Sequence, residues 1–317
     1  MKSSFLQTVQ GPVAVDDLGL ILPHEHLFTD LRGPLFPDYA KANPEHVSKV
    51  MKPYLEAAHG AGVTALVECS TIGVGRNLSV LMQIARSTPI HIVAPTGIYR
   101  EDFMPHSFRD LDAEGLAKIW IKEITEGMEN TQIRAGFIKI AISDNGPTEI
   151  EIRNLRAAAL TSKKTGAVIA SHTPNGLIAQ REMEILQSEG LNLKHFIWVH
   201  ANLETDREMH LNAARLGAYV EFDAIGWSWQ SQSALADYTL FLIEADLADR
   251  ILLSHDAGWY DPSQPSGQPE DGGIHGFTSL VNEFIPDLQE RGVWSKTIQL
   301  ITEKNPARAF AISHRNL

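Results

Sequence analysis

Short apolar runs rich in Val, Ile and Phe alternate along this chain with longer stretches of helical periodicity. Apolar runs of this length, bounded by turn residues, predict buried strands. The predicted strands are 19–24, 63–68, 90–96, 136–141, 167–172, 195–200, 218–223 and 250–256. The predicted helices between them are 44–60, 77–87, 113–130, 148–165, 176–190, 204–216 and 233–247. This alternation implies parallel strands joined by right-handed crossovers.

The spacing of these units favours a closed barrel. From His24 in the first predicted strand to Asp256 in the last there are 232 residues over seven units, or about 33 residues per unit, which suits a (β/α)8 barrel. An open doubly wound sheet would place a Gly-rich phosphate loop after its first strand, and none stands there. We therefore predict one (β/α)8 barrel domain over 1–317. After its last strand, this domain would add C-terminal helices near 276–290, 294–302 and 305–313.

Composition limits the classes of function. The chain has 317 residues, 44% of them hydrophobic, and a formal net charge of −12. No apolar run reaches the eighteen residues of a membrane span, and no basic cluster suggests nucleic acid. Residues 1–7 lack the apolar segment of a signal peptide, and Cys69 is the only cysteine. We therefore expect a soluble, cytoplasmic protein whose partner is a small molecule.

Residue types that bind metal ions stand at the ends of the predicted strands. His24 and His26 are two positions apart, so both imidazoles project to one side of a strand. Because active sites of (β/α)8 barrels lie at the C-terminal ends of strands, one site would collect the whole set. Nitrogen and oxygen donors without thiolate suit a catalytic Zn²⁺, Mn²⁺, Co²⁺ or Fe²⁺ and exclude a structural zinc knuckle. The candidates are His24, His26, Lys139, His172, His200 and Asp256.

Neighbouring polar residues need their own interpretation. Lys139 interrupts an apolar strand, where a free ammonium is costly to bury. Either a nearby carboxylate pairs with it, or CO₂ converts the amine to a carbamate able to bridge two metals. Alternation along a strand turns His255 away from the barrel interior, and Glu25 likewise faces away from the ions as packing or supporting contact.

The chain resembles the phosphotriesterase-like lactonases of the amidohydrolase superfamily over nearly its whole length. The similarity runs from Thr8-Val9-Gln10-Gly11-Pro12 and His24-Glu25-His26-Leu27 to Asn305-Pro306-Ala307-Arg308-Ala309-Phe310. It includes Thr96-Gly97-Ile98-Tyr99, the strand around Lys139, and Ser254-His255-Asp256-Ala257. A lone His-x-His would be weak evidence, whereas this ordered set is specific.

The resemblance implies a binuclear metal centre. The histidines of the first strand and Asp256 would hold the buried ion, and His172 and His200 the more exposed one. Carboxylated Lys139 and a hydroxide would bridge two divalent ions, Zn²⁺ first among the candidates. The ions lower the pKa of that water and polarise the substrate, and Asp256 would accept the proton. Tyr99 corresponds to a tyrosine that lines the metal site, although packing of its ring is an equal explanation.

The implied activity is hydrolysis of a lactone or carboxylic ester, with phosphotriesters as a weak side reaction. Ala224 stands where the family carries arginine or histidine, and Leu203 where the phosphotriesterases have an acid, so both positions of their proton relay are apolar. A barrel that binds metal and ligand without turnover, and a hydrolase of amides or cyclic amides, remain open. The resemblance also implies a homodimer.

The loops after the last two strands are candidates for the substrate wall. The loop at 225–231 is short, which removes the long channel for acyl chains, and 257–274 is long and irregular, as functional loops often are. Four aromatic side chains could form an apolar wall or act as packing anchors between loops. They are Trp227, Trp229, Trp259 and Tyr260.

Overall fold

An antiparallel hairpin precedes the barrel. The computed structural model describes residues 4–270 and 272–313. Strands β1 (Ser4–Thr8) and β2 (Gly11–Ala14) pair through Phe5 opposite Ala14. The sequence analysis predicted no strand here, because segments of four and five residues are too short to show a clear alternation of apolar and polar side chains.

The eight predicted strands are confirmed as the strands that form a (β/α)8 barrel. The third of them is divided into two pieces. Neighbouring strands pair in parallel from β3 to β5 and from β6 to β11. The strands are β3 (Leu20–Glu25), β4 (Val63–Glu68), β5 (His91–Val93), β6 (Pro95–Thr96), β7 (Phe137–Ala141), β8 (Ile169–His172), β9 (Phe196–Val199), β10 (Tyr219–Phe222) and β11 (Ile251–Leu253).

The barrel closes between its first strand, β3, and the segment that follows its last strand, β11. The predicted strand 250–256 was too long, because the chain leaves β11 after Leu253. The next residues still run beside β3: the Asp256 amide donates to the His24 carbonyl at 3.1 Å, and the His26 amide to the Ala257 carbonyl at 2.8 Å. The Trp259 amide then donates to the His26 carbonyl at 2.8 Å. These hydrogen bonds complete the ring.

In the described part of the chain, seven helices cover the outside of the barrel. Local signals fix several ends: the Asn43 side chain accepts from the amides of the first turn of α1, and Thr148 and Glu151 form a reciprocal capping box on α4. The helices are α1 (Pro44–Gly60), α2 (Leu78–Ser87), α3 (Ala113–Thr125), α4 (Glu149–Thr165), α5 (Gly176–Ser188), α6 (Arg207–Arg215) and α7 (Gln232–Glu244).

Three of the helices predicted between the strands were too long by three residues or more, and one of them is 233–247, which ends at Glu244. The prediction 113–130 was wrong beyond Thr125, because Gly127 adopts a φ of 149° that breaks the helical path. The prediction 204–216 was wrong before residue 207, because the Asp206 side chain caps the helix at that point. A capping aspartate excludes the residues before it from the helix.

The C-terminal helices contain wide π turns. Leu280–Phe284 is a π segment that continues into α8 (Ile285–Glu290). The helix α9 (Ser295–Gln299), the π segment Leu300–Lys304 and α10 (Asn305–Phe310) form one run, so the two separate helices predicted at 294–302 and 305–313 were wrong. A proline lies two residues after each π segment, and the wider turn accommodates its missing N–H and its ring.

The chain ends its described part in a short strand rather than a helix. β12 (Ile312–Ser313) pairs with β1, with Phe5 opposite Ile312. The hairpin and the last strand thus form a three-stranded sheet at the N-terminal end of the barrel. Phe310 packs edge-on against Phe137 with ring centroids 5.3 Å apart.

Apolar side chains fill the barrel interior near the N-terminal ends of the strands. Polar residues occupy the interior near the C-terminal ends. Leu6, Ile21, Phe137 and Ile197 belong to one buried cluster inside the ring of strands. A larger cluster, including Trp120, lies between the strands and the helices. Among residues 4–270 and 272–313, no helix has both the length and the apolar character to cross a bilayer.

Candidate metal centre

All six predicted metal ligands meet in one cavity at the C-terminal end of the barrel. The cavity has a volume of about 70 Å³ and is lined by His24, His26, Lys139, His172, His200 and Asp256, together with Tyr99, Trp259 and Cys69. The imidazole centroids of His24 and His200 are 5.0 Å apart, and those of His172 and His200 are 4.5 Å apart. The structure therefore brings together the six ligand candidates from five different strands of the barrel.

Asp256 lies between the histidines. Its Oδ1 is 3.0 Å from Nε2 of His26 and 3.5 Å from Nε2 of His24, and its Oδ2 is 3.8 Å from Nδ1 of His200. The backbone of Asp256 is left-handed, with a φ of 52°, and that of His200 has a φ of 62°. Such conformations are costly for residues with a side chain and cluster at functional sites.

Lys139 presents a buried amine to the same cavity. The side chain is 2% exposed, and Nζ has no hydrogen-bond partner among the described residues. The carboxylate pairing that would explain a structural lysine is therefore absent from the described part of the chain. The Lys139 backbone is held by contact with Gly97, where a Cβ atom would lie 2.0 Å from the Lys139 carbonyl oxygen.

Two acids, one on β10 and one directly after it, orient two of the histidines. Glu221 Oε1 is 2.8 Å from Nδ1 of His24, and Asp223 Oδ1 is 2.9 Å from Nδ1 of His200. Holding Nδ1 in this way leaves Nε2 free to face the cavity. Neither acid was predicted as a partner, although the i, i+2 spacing that identifies the histidine pair on β3 also relates these two acids.

Charge and burial act in opposite directions on these acids. Burial would raise the pKa of Asp223, but the neighbouring His200 and His24 hold it well below its ordinary value. Burial, and then the adjacent Asp223 carboxylate, raise the pKa of Glu221 well above its ordinary value. Of the two acids, Asp223 therefore carries the negative charge beside the histidines.

The other two histidines of the set, His26 and His172, have polar partners of their own. Nδ1 of His26 is 2.8 Å from the Ser70 hydroxyl, and Nδ1 of His172 is 3.2 Å from the Tyr99 hydroxyl. Burial, followed by the charge of Lys139, lowers the pKa of His24 to about 4. Burial and then His200 lower the pKa of His172 well below its ordinary value. Neutral imidazole, the form that binds metals, is thus favoured at His24 and at His172.

Glu25 faces away from the cavity and organises the segment after β11. Its carboxylate accepts hydrogen bonds from the Ser254 hydroxyl at 2.8 Å and from the Ala257 amide at 3.0 Å. Oε1 is also 2.6 Å from Nδ1 of His255, whose Nε2 accepts from the Leu280 amide at 3.0 Å. Both residues lie on the side that alternation assigned to them, and together they position Asp256 by holding its neighbours.

The donor set fits divalent metal ions. Four imidazoles, one carboxylate and one amine surround a cavity too small for an organic molecule. Lys139 Nζ is buried without a hydrogen-bond partner among the described residues, and the buried Asp256 Oδ1 faces the imidazole nitrogens of His24 and His26. Buried polar atoms in native proteins are otherwise almost always satisfied, so a bound group is the simplest partner for the Lys139 amine.

A second cavity opens beside the first. It has a volume of about 530 Å³ and shares Thr29, Leu31 and Trp259 with the small one. Trp227 also lines it. Of the four aromatic residues proposed for a substrate wall, Trp227 and Trp259 thus line this space.

The remaining two aromatic residues lie elsewhere. Tyr260 is buried against Phe28, with ring centroids 5.9 Å apart, and serves as a packing anchor. Trp229 is 60% exposed. Ala224 is buried and Leu203 is 48% exposed, and neither apolar side chain supplies a polar group to the cavity.

Comparisons with known proteins agree with this geometry. Residues 4–310 match the model of the Phosphotriesterase family. A phosphotriesterase homology protein of Escherichia coli K12 is 29% identical over 299 residues, covering 94% of this chain and 100% of the relative. An N-acetyltaurine hydrolase of Danio rerio is 27% identical over 344 residues, covering 96% and 97%.

A solved structure shows the same fold. A mutant of a phosphotriesterase-like lactonase from Deinococcus radiodurans superposes with a TM-score of 0.86 at 29% identity, covering 96% of this chain and 99% of that one. Sequence and structure therefore point to the same group of metal-dependent hydrolases. The chain belongs to the phosphotriesterase family.

Proposed function

We propose that this hydrolase cleaves a lactone or a carboxylic ester at a centre of two divalent metal ions. The observation that carries the proposal is the buried Lys139 amine, which lacks a partner among the described residues and faces four imidazoles and a carboxylate. Carboxylation of that amine would turn an unpaired cation into an anionic ligand. It would thereby remove the cost of a buried, unpaired charge.

We assign the ligands as the sequence analysis predicted. His24, His26 and Asp256 would hold one ion, and His172 and His200 the other, with N6-carboxylysine at Lys139 between them. Zn²⁺ is the first candidate, and Mn²⁺, Co²⁺ and Fe²⁺ suit the same donors. When bound, the ions supply an acidified water and polarise the substrate oxygen.

The protein's own groups handle the proton. Asp256 is adjacent to three histidines, and although burial would raise its pKa, those histidines lower it. The carboxylate is thus ionised and ready to accept a proton from the attacking water, then to deliver it to the departing alkoxide. Tyr99 remains a neutral donor, because burial raises its pKa to about 12. Its hydroxyl beside His172 can orient the substrate's oxygen.

The cavities support a compact substrate. The small cavity holds the reacting carbonyl, and the larger one receives the remainder of the molecule against Trp227 and Trp259. Neither Ala224 nor Leu203 can relay a proton, so we expect phosphotriesters to turn over much more slowly than lactones. Amide hydrolysis is the second candidate, supported by the family member from Danio rerio named N-acetyltaurine hydrolase.

A turnover panel on the metal-loaded protein tests the proposal. Aliphatic and sugar lactones, aryl esters, N-acyl amides and aryl phosphotriesters would be compared on protein reconstituted with Zn²⁺, Mn²⁺ or Co²⁺, with metal content measured on the same samples. We expect two ions per chain and fastest turnover of a lactone or ester. Fastest turnover of an amide would favour the second candidate. Two bound ions without turnover would instead indicate a binding protein.

We further propose that the chain works as one catalytic domain and pairs as a homodimer. The family match from residue 4 to 310 supports the first statement. Sedimentation of the purified protein tests the second, since a single species at the monomer mass would contradict it.

A further inference from the structure

A cavity at the opposite end of the barrel has a lining unlike the rest of this acidic protein. It has a volume of about 520 Å³ and lies at the N-terminal ends of β9, β10 and β11, below α10 and the first hairpin. The metal centre is at the other end of the same strands. The basic and aromatic residues that line it are Lys194, His195, Tyr219, Arg250, Lys304 and Arg308.

Positive charge is concentrated in this cavity. Among the described residues that line it, four are Lys or Arg and only Asp16 is an acid, although the whole chain carries 27 basic and 39 acidic residues. Arg250 pairs with Asp249 at 3.1 Å, and Lys304 Nζ is 3.7 Å from Glu303. Lys194 and Arg308 form no ion pair with any described residue. Two cations are thus available to a ligand.

The backbone brings these side chains together. Lys304 and Arg308 are four residues apart on one helical run, so they project side by side. Nη1 of Arg250 donates to the Gly217 carbonyl at 3.1 Å, and a Cβ atom on Gly217 would lie 3.7 Å from the Lys194 amide nitrogen. The Lys194 and Arg250 segments are therefore immediate neighbours across Gly217.

The aromatic ring of Tyr219 forms part of the cavity wall. The Arg250 guanidinium lies over the Tyr219 ring, 5.5 Å from its centroid, which holds the arginine in place. Arg250 and Arg308 are both close enough to act electrostatically on Tyr219. A planar guanidinium beside a lysine ammonium and a phenol is a suitable arrangement of donors for a tetrahedral oxyanion.

We infer that this cavity binds a small molecule bearing a phosphate or sulfate group. The volume lies within the range of small-molecule sites and exceeds that of one inorganic ion. A polyanion such as nucleic acid is disfavoured, because the net charge of −12 repels an extended negative chain that reaches beyond the cavity. The inference is independent of the reaction at the metal centre.

Inorganic phosphate and sulfate are the probes for the test, with chloride at equal ionic strength as the monovalent control. Calorimetric titration and the melting temperature would be measured on the metal-loaded protein and on the double variant Lys194→Gln/Arg308→Gln. Phosphate can also bind at the metal centre, so the difference between the two proteins reports the cavity. The matched control is Arg86→Gln, an exposed arginine on α2 at the other side of the barrel.

We expect phosphate and sulfate to raise the melting temperature of the wild type more than chloride does. In the double variant, oxyanion affinity should fall at least about tenfold, since one lost charged hydrogen bond already accounts for that factor. Lactone or ester turnover should stay unchanged, as should binding in Arg86→Gln. Equal affinity in wild type and double variant, or an equal loss in Arg86→Gln, would overturn the inference. Each single variant repeats the comparison if the double variant does not fold.

Discussion

Removing the Asp223 carboxylate should weaken metal binding more than any other change outside the ligand set. Asp223 accepts from the His200 amide at 2.9 Å, contacts Nδ1 of His200 at 2.9 Å, and lies 3.3 Å from Nδ1 of His24. It therefore orients one ligand of each proposed ion. Loss of such a supporting partner typically weakens metal affinity about 10- to 100-fold, which corresponds to about 1.4–2.8 kcal/mol.

The folded state should also lose stability in Asp223→Ala. The His200 amide and Nδ1 lose a buried acceptor, at about 1–3 kcal/mol for each unsatisfied group. Relief of Glu221 from its charged neighbour offsets part of this loss, because Asp223 contributes to the raised pKa of Glu221. We expect a net decrease of about 2–4 kcal/mol in the free energy of unfolding.

Chelator competition and urea unfolding measure the two effects. Bound metal would be quantified after equilibration with increasing chelator, and unfolding followed with and without metal. Asp237→Ala is the control, since Asp237 forms a surface ion pair with Arg291 and should change either quantity little. Metal affinity within twofold of wild type in Asp223→Ala would refute the proposed support of the two histidines.

Four further outcomes are expected. Lys139→Ala should lose bound metal and turnover, with partial rescue of both by short carboxylic acids; unchanged metal content by elemental analysis would reject Lys139 as a ligand. Asp256→Asn should lower kcat far more than it changes KM, and wild-type kcat would rule out proton transfer by this residue. Gly97→Ala should unfold at lower urea and lose metal, because its Cβ would overlap the Lys139 carbonyl; an unchanged midpoint would contradict that contact. Burial raises the pKa of Glu182 to about 8 from 4.5, so its protonated form stabilises the fold below pH 4.5 and that contribution is lost as pH rises to 8, at about 1.4 kcal/mol per unit. Unfolding free energies of Glu182→Gln should therefore decline less than wild type between pH 5 and 8, and parallel declines would disprove this.

The sequence predicted the strands well and grouped the six ligand candidates at one end of the barrel, because both depend on local alternation. His24 and His26 follow from the two-residue repeat of a strand, and α1 follows from the Asn43 cap and Pro44. The hairpin was missed because its strands are too short to show a clear alternation, and β12 was missed because its partner β1 lies at the opposite end of the chain. The merged C-terminal helices were missed because a π turn adapts the backbone to Pro306 without a break.

The supporting contacts of the site were harder to predict. Glu221 and Asp223 could have been found from their spacing, but their assignment to His24 and His200 requires the positions of the side chains inside the barrel. Lys139 left two explanations open from sequence alone. Only the packed structure shows that no described residue pairs with its amine.

The closing contact between Glu25 and the segment after β11 has a consequence for the order of folding. Glu25 and Ala257 are 232 positions apart in sequence, and their hydrogen bond requires the first barrel strand and the segment after the last one to lie side by side. Contacts this distant carry a large loop-closure entropy and form late. A ribosome-bound chain that has not yet released its last strand would therefore have no complete site, so metal uptake should report the final step of barrel assembly rather than precede it.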